Sequence, residues 1–477
     1  MTPLASAPTR TPRRLTPSTT PARLRAFATG AIVLAVVVGI VIAIAVSVLR
    51  GGLRQIGHRA APQVVATQDL YFAVSDMDAQ LANVLLVGDE QGLGIGHTQA
   101  LDLYENRRTQ ADQDLQQAAA AAGGDAGAQR ALKSVLDAFG RYEGLAAQTV
   151  LLDERAHHPA GRPPAEVVVL YRQATDQLRY QVFPSVSRLT DANSATLGRS
   201  YEMQHSGLDI ARWGLVAAGL SLLGTLIGMQ VFLIRRFRRR SSPALALAMA
   251  GTAALLIASV GTLTAESGHL KVAKKDAFDS ILALAQARAI SYDANADESR
   301  FLVDPERRAQ YERSFLAKSQ QLANLPGVSL GTYDGDLAAA IIAVRVDGHD
   351  VRFSGFLGRE FRNITLPGER AAAEQTLSRY RTYQLDDRRL RTLAKGQNLR
   401  ATVAFNTGLT PGDSNGDFSR YDASLQLLIT INQGAFDSAI HDGEQALTGW
   451  TLLPPLSVIL IAGLVLAGIR PRLAEYR

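Results

Sequence analysis

Asp413-Ser414-Asn415-Gly416-Asp417 repeats the alternating oxygen positions that open a calcium-binding loop. Such a loop needs glycine at its sixth position and a bidentate glutamate at its twelfth. Here glycine falls fourth and the twelfth residue is Ser424, so a polar turn is expected. Asp347, His349 and Asp350 put three ligand-type side chains in one short loop, but no second cluster completes a coordination shell. Gly92-x-Gly94-x-Gly96 could cradle a phosphate after a strand; no strand pattern precedes it, which leaves a flexible tip of a helical bundle. The eight histidines form no His-x-x-x-His pair and none flanks a glutamate in a zinc-protease pattern; His157 and His158, in a Pro-rich loop, are expected to be solvated. No nucleophile, base and oxyanion site assemble, so the expectation is a non-enzyme with no catalytic residues, cofactor or metal.

The elements around these residues explain the lack of chemistry. Four runs free of Asp, Glu, Lys and Arg, 26–49, 213–234, 244–264 and 450–469, are long enough to cross a bilayer as helices. Each pair of runs encloses a long polar segment, 50–212 and 265–449, which predicts one module used twice. Trp213 and Trp450 open the second and fourth runs and fit interfacial anchors, with a buried core position as the alternative. Gly224-x-x-x-Gly228 and the alanine-rich third run suit close helix packing, though ordinary membrane-helix composition would give the same residues. No ionisable side chain interrupts the runs, which argues against a channel or carrier.

The net charge of +6 points at first to an anionic partner such as nucleic acid. Sorted by segment, it does not. Residues 51–212 hold 14 Lys and Arg against 19 Asp and Glu, and 266–449 hold 22 against 24. The surplus sits in the tail 1–25, the link 235–243 with Arg235, Arg236, Arg238, Arg239 and Arg240, and the tail 470–477. Basic flanks stay on the cytoplasmic side, so both termini and the link are expected inside and both polar segments outside. The first run is too long for a signal-peptide core and lacks a small-x-small cleavage site, so it should be a retained anchor; the Thr-, Pro- and Arg-rich residues before it should be disordered. No cysteine occurs in a chain facing mostly outward, a habit common in bacteria, and thiolate metal sites are excluded. The expected location is a bacterial cell membrane, crossed four times.

The polar segments carry helical patterns. Leu70, Val74, Met77, Leu81 and Val84 draw a narrow apolar stripe, the glycines from Gly88 to Gly96 interrupt it, and helices follow from Thr98 to Ala122, Gln129 to Asp153 and, after the loop 155–164, from Glu166 with a kink at Pro184. In the second segment helices are expected over 276–303, 307–325, 369–395 and 418–447, with Asp304 and Pro305 as N-cap and first-turn proline, and a short hairpin or loop at 347–354. Leu85-Leu86-Val87-Gly88-Asp89 and Phe301-Leu302-Val303-Asp304 each close the first long helix of their segment. The predicted fold is all-α: two antiparallel four-helix bundles related by an internal repeat, tied to four membrane helices.

Asp69-Leu70-Tyr71-Phe72-Ala73-Val74-Ser75-Asp76-Met77-Asp78 leading to Leu86-Val87-Gly88, and Tyr171-Arg172-Gln173-Ala174-Thr175-Asp176 leading to Phe183-Pro184, sit in this layout. With them the chain resembles the GlnX-type transmembrane signalling proteins of actinobacteria. It is also similar to a tandem of the four-helix-bundle sensor modules of bacterial chemoreceptors, without their cytoplasmic signalling hairpin. The GlnX resemblance implies a relay: an extracytoplasmic solute-binding lipoprotein senses amino acids, this protein carries its state across the membrane, and a cytoplasmic serine/threonine kinase of the protein kinase G type responds. The short inward stretches agree with an output handed to a separate effector.

Tyr71, Asp76, Asp78 and Asn83 on one helix and Asp293, Asp297 and Arg300 on its counterpart are the candidate partner contacts; as the polar face of amphipathic helices they would otherwise be solvated. Two other functions stay open: a receptor binding a small ligand directly between bundle helices, and a structural scaffold whose inner arginines hold anionic lipid. Self-association is compatible with each.

Overall fold

The computed structural model describes residues 20–90, 92–122, 126–237, 242–396 and 398–474. The described residues contain no strand, and a single isolated β-bridge joins Asn324 and Ser354. They fall into two compact units. One comprises the described parts of Met1–Gly51, Met203–Ser267 and Glu444–Arg477; the other comprises Gly52–Glu202 and Gly268–Gly443.

The first unit takes its substance from α1 (Thr20–Gln55), α7 (Pro243–Lys271), α15 (Leu453–Ala474) and the later part of α6 (Phe183–Phe237). Among the described residues four helical stretches are long and apolar enough to cross a membrane, within Pro21–Val87, Ala165–Arg235, Pro243–Val303 and Leu453–Pro471. The fourth begins later than predicted. Gly449 adopts φ +89°, residues 447–452 form turns, and the helix restarts at Leu453 ahead of Pro454 and Pro455, which suit a first turn. Trp450 is buried beside Ala45, Leu49, Leu215 and Leu263, so the core alternative describes it, whereas Trp213 is 67% exposed with the Arg212 guanidinium 5.9 Å from its ring centroid. Gly224 and Gly228 face open space; the close helix approaches occur at Gly39 against Val458, Gly219 against Leu256 and Gly468 against Leu245. Residues 20–25, expected in a disordered tail, begin α1, while residues 1–19 lie outside the described residues. Arg235 is exposed; the Arg236 side chain and Arg238, Arg239 and Arg240 lie outside the described residues.

The second unit joins the two polar segments into one body. Its first segment contains α2 (Ala61–Val87), α3 (His97–Ala122), α4 (Ala126–Ala156), α5 (Ala165–Gln177) and the start of α6. The kink expected at Pro184 is realised as a π-helical stretch, Leu178–Val182, placed where proline removes a backbone donor and crowds the carbonyl four residues earlier. The second segment contains α8 (Asp279–Val303), α9 (Arg308–Leu322), α12 (Glu369–Ala394) and α14 (Ser414–Ala446), at the predicted places. It adds α10 (Tyr333–Val346), α11 (Gly355–Asn363) and α13 (Leu399–Thr407), which sequence patterning did not reveal. The stretch 347–354 is irregular, and only Ser354 enters the β-bridge.

α2 and α8 end at the two matched motifs, at Val87 and Val303, and a π-helical stretch precedes each, Ile56–Ala60 and Val272–Phe278. Neither helix is amphipathic in use. On α2 the apolar stripe is buried and so are Ser75, Asp76, Asp78 and Asn83 on its other sides; on α8 the residues from Asp293 to Val303 are buried on every face. The cause is packing of the two helices against each other at the centre of the unit. One apolar core accordingly unites Leu70, Met77, Tyr142 and Val167 of the first segment with Phe301, Leu302, Tyr311 and Phe405 of the second.

Candidate functional site

The seam between α2 and α8 is polar at its middle. Asp293, Asp297 and Arg300 are spaced by four and three residues, which brings them to one face of α8. Arg300 reaches back to both aspartates, with Nη1 donating to Asp297 Oδ1 at 2.6 Å and Asp293 Oδ1 at 2.9 Å, and across to α2, where Nη2 donates to Asp78 Oδ2 at 2.6 Å. Lys318 on α9 closes the cluster from the other side, 2.6 Å from Asp297 Oδ2 and 2.7 Å from Asp293 Oδ2. The Tyr142 and Tyr171 hydroxyls donate to Asp78 from α4 and α5, at 3.2 and 3.4 Å. Three carboxylates thus face two cations, and the two phenols supply further donors.

Electrostatics follow from this arrangement. Burial alone would push the Asp293 carboxyl up, but Lys318 and Arg300 outweigh it and hold it below the usual carboxylate range. Burial works against the Arg300 charge too, yet Asp78, Asp293 and Asp297 together keep it protonated far beyond its ordinary value. Tyr142 and Tyr171 are pushed up by burial and by the neighbouring Asp78, so both remain donors. Asp76 differs: Arg107 Nε lies 2.5 Å away and Gln80 donates at 2.8 Å, yet burial dominates and its carboxyl is raised.

Further along the seam, the Ser299 hydroxyl donates to Asn83 Oδ1 at 3.0 Å and accepts from Asn406 of α13 at 2.9 Å. Tyr71 packs edge-on against Phe183 at 4.6 Å between centroids. The seven residues expected to present a contact face therefore do not form one. Asp76, Asp78, Asn83, Asp293, Asp297 and Arg300 are buried and Tyr71 is half-buried; five of them, Asp78, Asn83, Asp293, Asp297 and Arg300, join one polar seam. A polar stripe reads as solvated only if nothing packs on it, and here the other segment does.

Sequence reasoning missed a second clamp. Asp304, expected to cap a helix, makes no side-chain cap; its buried carboxylate takes a bidentate bond from Arg172 of α5, with Nε at 2.6 Å, and the Tyr311 hydroxyl at 3.3 Å. Arg172 also meets Glu306 at 2.7 Å, and Arg307 donates to Asp176 at 3.0 Å. Lys318, Tyr142 and Arg107 gave no signal either, because each sits on a different helix from the group it serves.

The ligand-type residues read from sequence resolve into structure. Asp413 accepts from Thr410, and Asp417 accepts from the Gly412 N–H and from Arg420, which is a polar turn opening α14. Asp347 accepts from the His349 N–H and Asp350 pairs with Arg352. Among the described residues no group of three or more His, Asp or Glu is placed to hold a metal ion. His157 is exposed, but His158 is buried against Asp153 at 2.7 Å, which corrects its expected solvation. Gly94 (φ +45°) lies so close to Thr407 that a Cβ would fall 2.5 Å from its carbonyl carbon, so the glycine tip serves backbone approach between the segments.

Residues 52–202, the same stretch that forms the first segment of the polar unit, match the model of a family described as an actinobacterial sensor domain. No curated protein and no solved structure matches the chain. The match supports an actinobacterial sensor protein with a sensing or signalling role.

Proposed function

We propose that the chain is a non-enzymatic transmembrane signal transducer in a bacterial cell membrane, with both polar segments outside and both termini inside. It passes the state of an extracytoplasmic amino-acid-binding lipoprotein to a cytoplasmic serine/threonine kinase pathway. The observation that carries the signalling part is the charged seam: α2 and α8, each following a candidate span in the chain, meet through Arg300 and Asp78. Apolar surfaces can slide in small steps, whereas a buried ion pair cannot separate without leaving a charge uncompensated. Such a seam favours discrete arrangements, which a switch needs. The orientation is supported by the basic link and tails, and the two partners by the resemblance to GlnX-type proteins.

In this proposal Asp78, Asn83, Asp293, Asp297 and Arg300 couple the two segments and the partner docks on another surface. Crosslinking in cells, followed by mild solubilisation of the intact protein and mass spectrometry, tests it. Recovery of a solute-binding lipoprotein together with a kinase-pathway protein is the expected result; recovery of copies of the chain alone would overturn the relay.

A further inference from the structure

Helices α8 and α11 of the second polar segment leave a groove of about 430 Å³ between them, a volume usual for a small-molecule site. At one end Asn363 of α11 donates to the Ser280 hydroxyl at 2.9 Å and to the carbonyls of Lys275 and Asp276 at 3.0 and 3.1 Å, inside the π-helical stretch Val272–Phe278. At the other end, about 9 Å along α8, Arg359 of α11 reaches across the groove, its Nη2 3.4 Å from Gln286 Oε1. Leu282 and Ala283 line the space between these ends. The Arg359 guanidinium rests 4.6 Å from the centroid of the Phe356 ring, and among the described residues no carboxylate pairs with it. Burial lowers it from its ordinary value with no counter-charge to raise it again. The other ionisable lining residues leave that charge unmatched. Arg362 donates to the Phe353 carbonyl at 3.0 Å and adds a second cation, while Asp279 is already held by Lys274. Glu360 is raised to about 8 by its own burial, reinforced by Glu369, and is neutral at pH 7.

We infer that this groove binds a small organic anion with one carboxylate, held by Arg359, and a short apolar body lying along Leu282 and Ala283. The guanidinium fork matches the two oxygens of a carboxylate, and such charge-assisted bonds are the strong ones. A cation would meet two guanidiniums, and a neutral molecule would leave the Arg359 charge uncompensated. A phosphate monoester carries nearly two charges at neutral pH, and Asp279 in the same lining opposes the second. Asn363 ties α11 to the π-helical stretch that leads into α8, so occupancy favours the arrangement in which α11 stays on α8 at that junction. The inference needs neither the lipoprotein nor the kinase, so it stands or falls apart from the relay.

Benzoate is the probe, with benzamide as its neutral counterpart and phenyl phosphate as its more highly charged one. Saturation-transfer NMR at pH 7 on the intact protein in nanodiscs of zwitterionic lipid, with empty nanodiscs as background, reads binding. Arg359 is exposed, so Arg359→Gln removes the charge without altering the core, and Arg359→Lys keeps the charge without the fork. Leu282 is half-buried, and Leu282→Trp fills the groove independently of any charge. Benzoate is expected to bind the natural protein, with affinity reduced about tenfold or more by Arg359→Gln and by Leu282→Trp, and less by Arg359→Lys. Benzamide and phenyl phosphate are each expected to bind about tenfold more weakly than benzoate or not at all. Three results overturn the proposal: no benzoate binding at about 10 mM, binding of benzamide or phenyl phosphate as tight as that of benzoate, or undiminished benzoate binding to an Arg359→Gln or Leu282→Trp protein whose circular dichroism shows it folded.

Discussion

Arg300 of α8 donates to Asp78 of α2 at 2.6 Å across 222 residues of chain, with both side chains buried. Arg300 also holds Asp293 and Asp297, so one guanidinium neutralises carboxylates from both polar segments. This contact turns two sequence segments into one unit.

Removing the cation should be costly. Arg300→Met leaves Asp78 with only the two tyrosine hydroxyls and leaves Asp293 and Asp297 with Lys318 alone. A loss of about 3–5 kcal/mol is expected from breaking a buried pair. Thermal unfolding followed by circular dichroism checks this, and Arg300→Met combined with Asp78→Leu should recover part of the loss, because no unpaired charge then remains on α2.

Locking the seam should abolish switching. The chain contains no cysteine, so Asn83→Cys with Ser299→Cys introduces a single pair, at positions whose side chains now meet at 3.0 Å. Oxidation is expected to crosslink the pair and hold any signalling output constant across stimuli, with reduction restoring the response. An output that still follows the stimulus in the oxidised protein would show that α2 and α8 do not move against each other.

The second clamp can be tested independently of the first. Arg172→Met strips the buried Asp304 of its bidentate partner and should destabilise the polar unit by about 3 kcal/mol. Asp304→Asn in the same chain should offset part of that cost, since a neutral amide is cheaper to bury than an unpaired carboxylate.

Stability should rise as pH falls from 8 towards 5. Burial, reinforced by Glu369, pushes Glu360 up to about 8, and burial with Asp417 pushes Asp386 up to about 7. A raised carboxyl stabilises the fold fully below its unfolded value and loses that contribution as pH rises through its folded value. Glu360→Gln should therefore unfold at least roughly 2 °C higher than the natural protein at pH 8, with the difference shrinking at pH 5. Asp293 has the opposite sign: held low by Lys318 and Arg300 against its burial, it contributes above the ordinary aspartate value and loses that contribution only in acid.

Gly94→Ala should cost about 1–3 kcal/mol, from positive φ and the backbone of Thr407 beneath it. Gly92→Ala, where φ is also positive but the space is open, should cost less. A comparison of unfolding temperatures separates backbone strain from the approach of the two segments.

The sequence by itself determined what depends on neighbours along the chain. The four apolar runs follow from length and composition; the ends of α2 at Val87 and α8 at Val303 follow from Gly88 and from Asp304-Pro305; the π-helical stretch before Phe183 is the local answer to Pro184. Helices α10, α11 and α13 escaped because short segments carry too few periodic residues to stand out, and the late start of α15 turned on Gly449 and two prolines.

Only the tertiary structure decided which polar faces meet water. Asp78, Asp293, Asp297 and Arg300 show the spacing of a solvated stripe, and periodicity cannot distinguish a stripe facing solvent from one facing a complementary stripe over two hundred residues away. The same holds for Asp304, whose position before a proline reads as a cap until Arg172 arrives from another helix. Charge complementarity is a property of pairs, and pairing between distant segments is fixed by packing, not by local sequence.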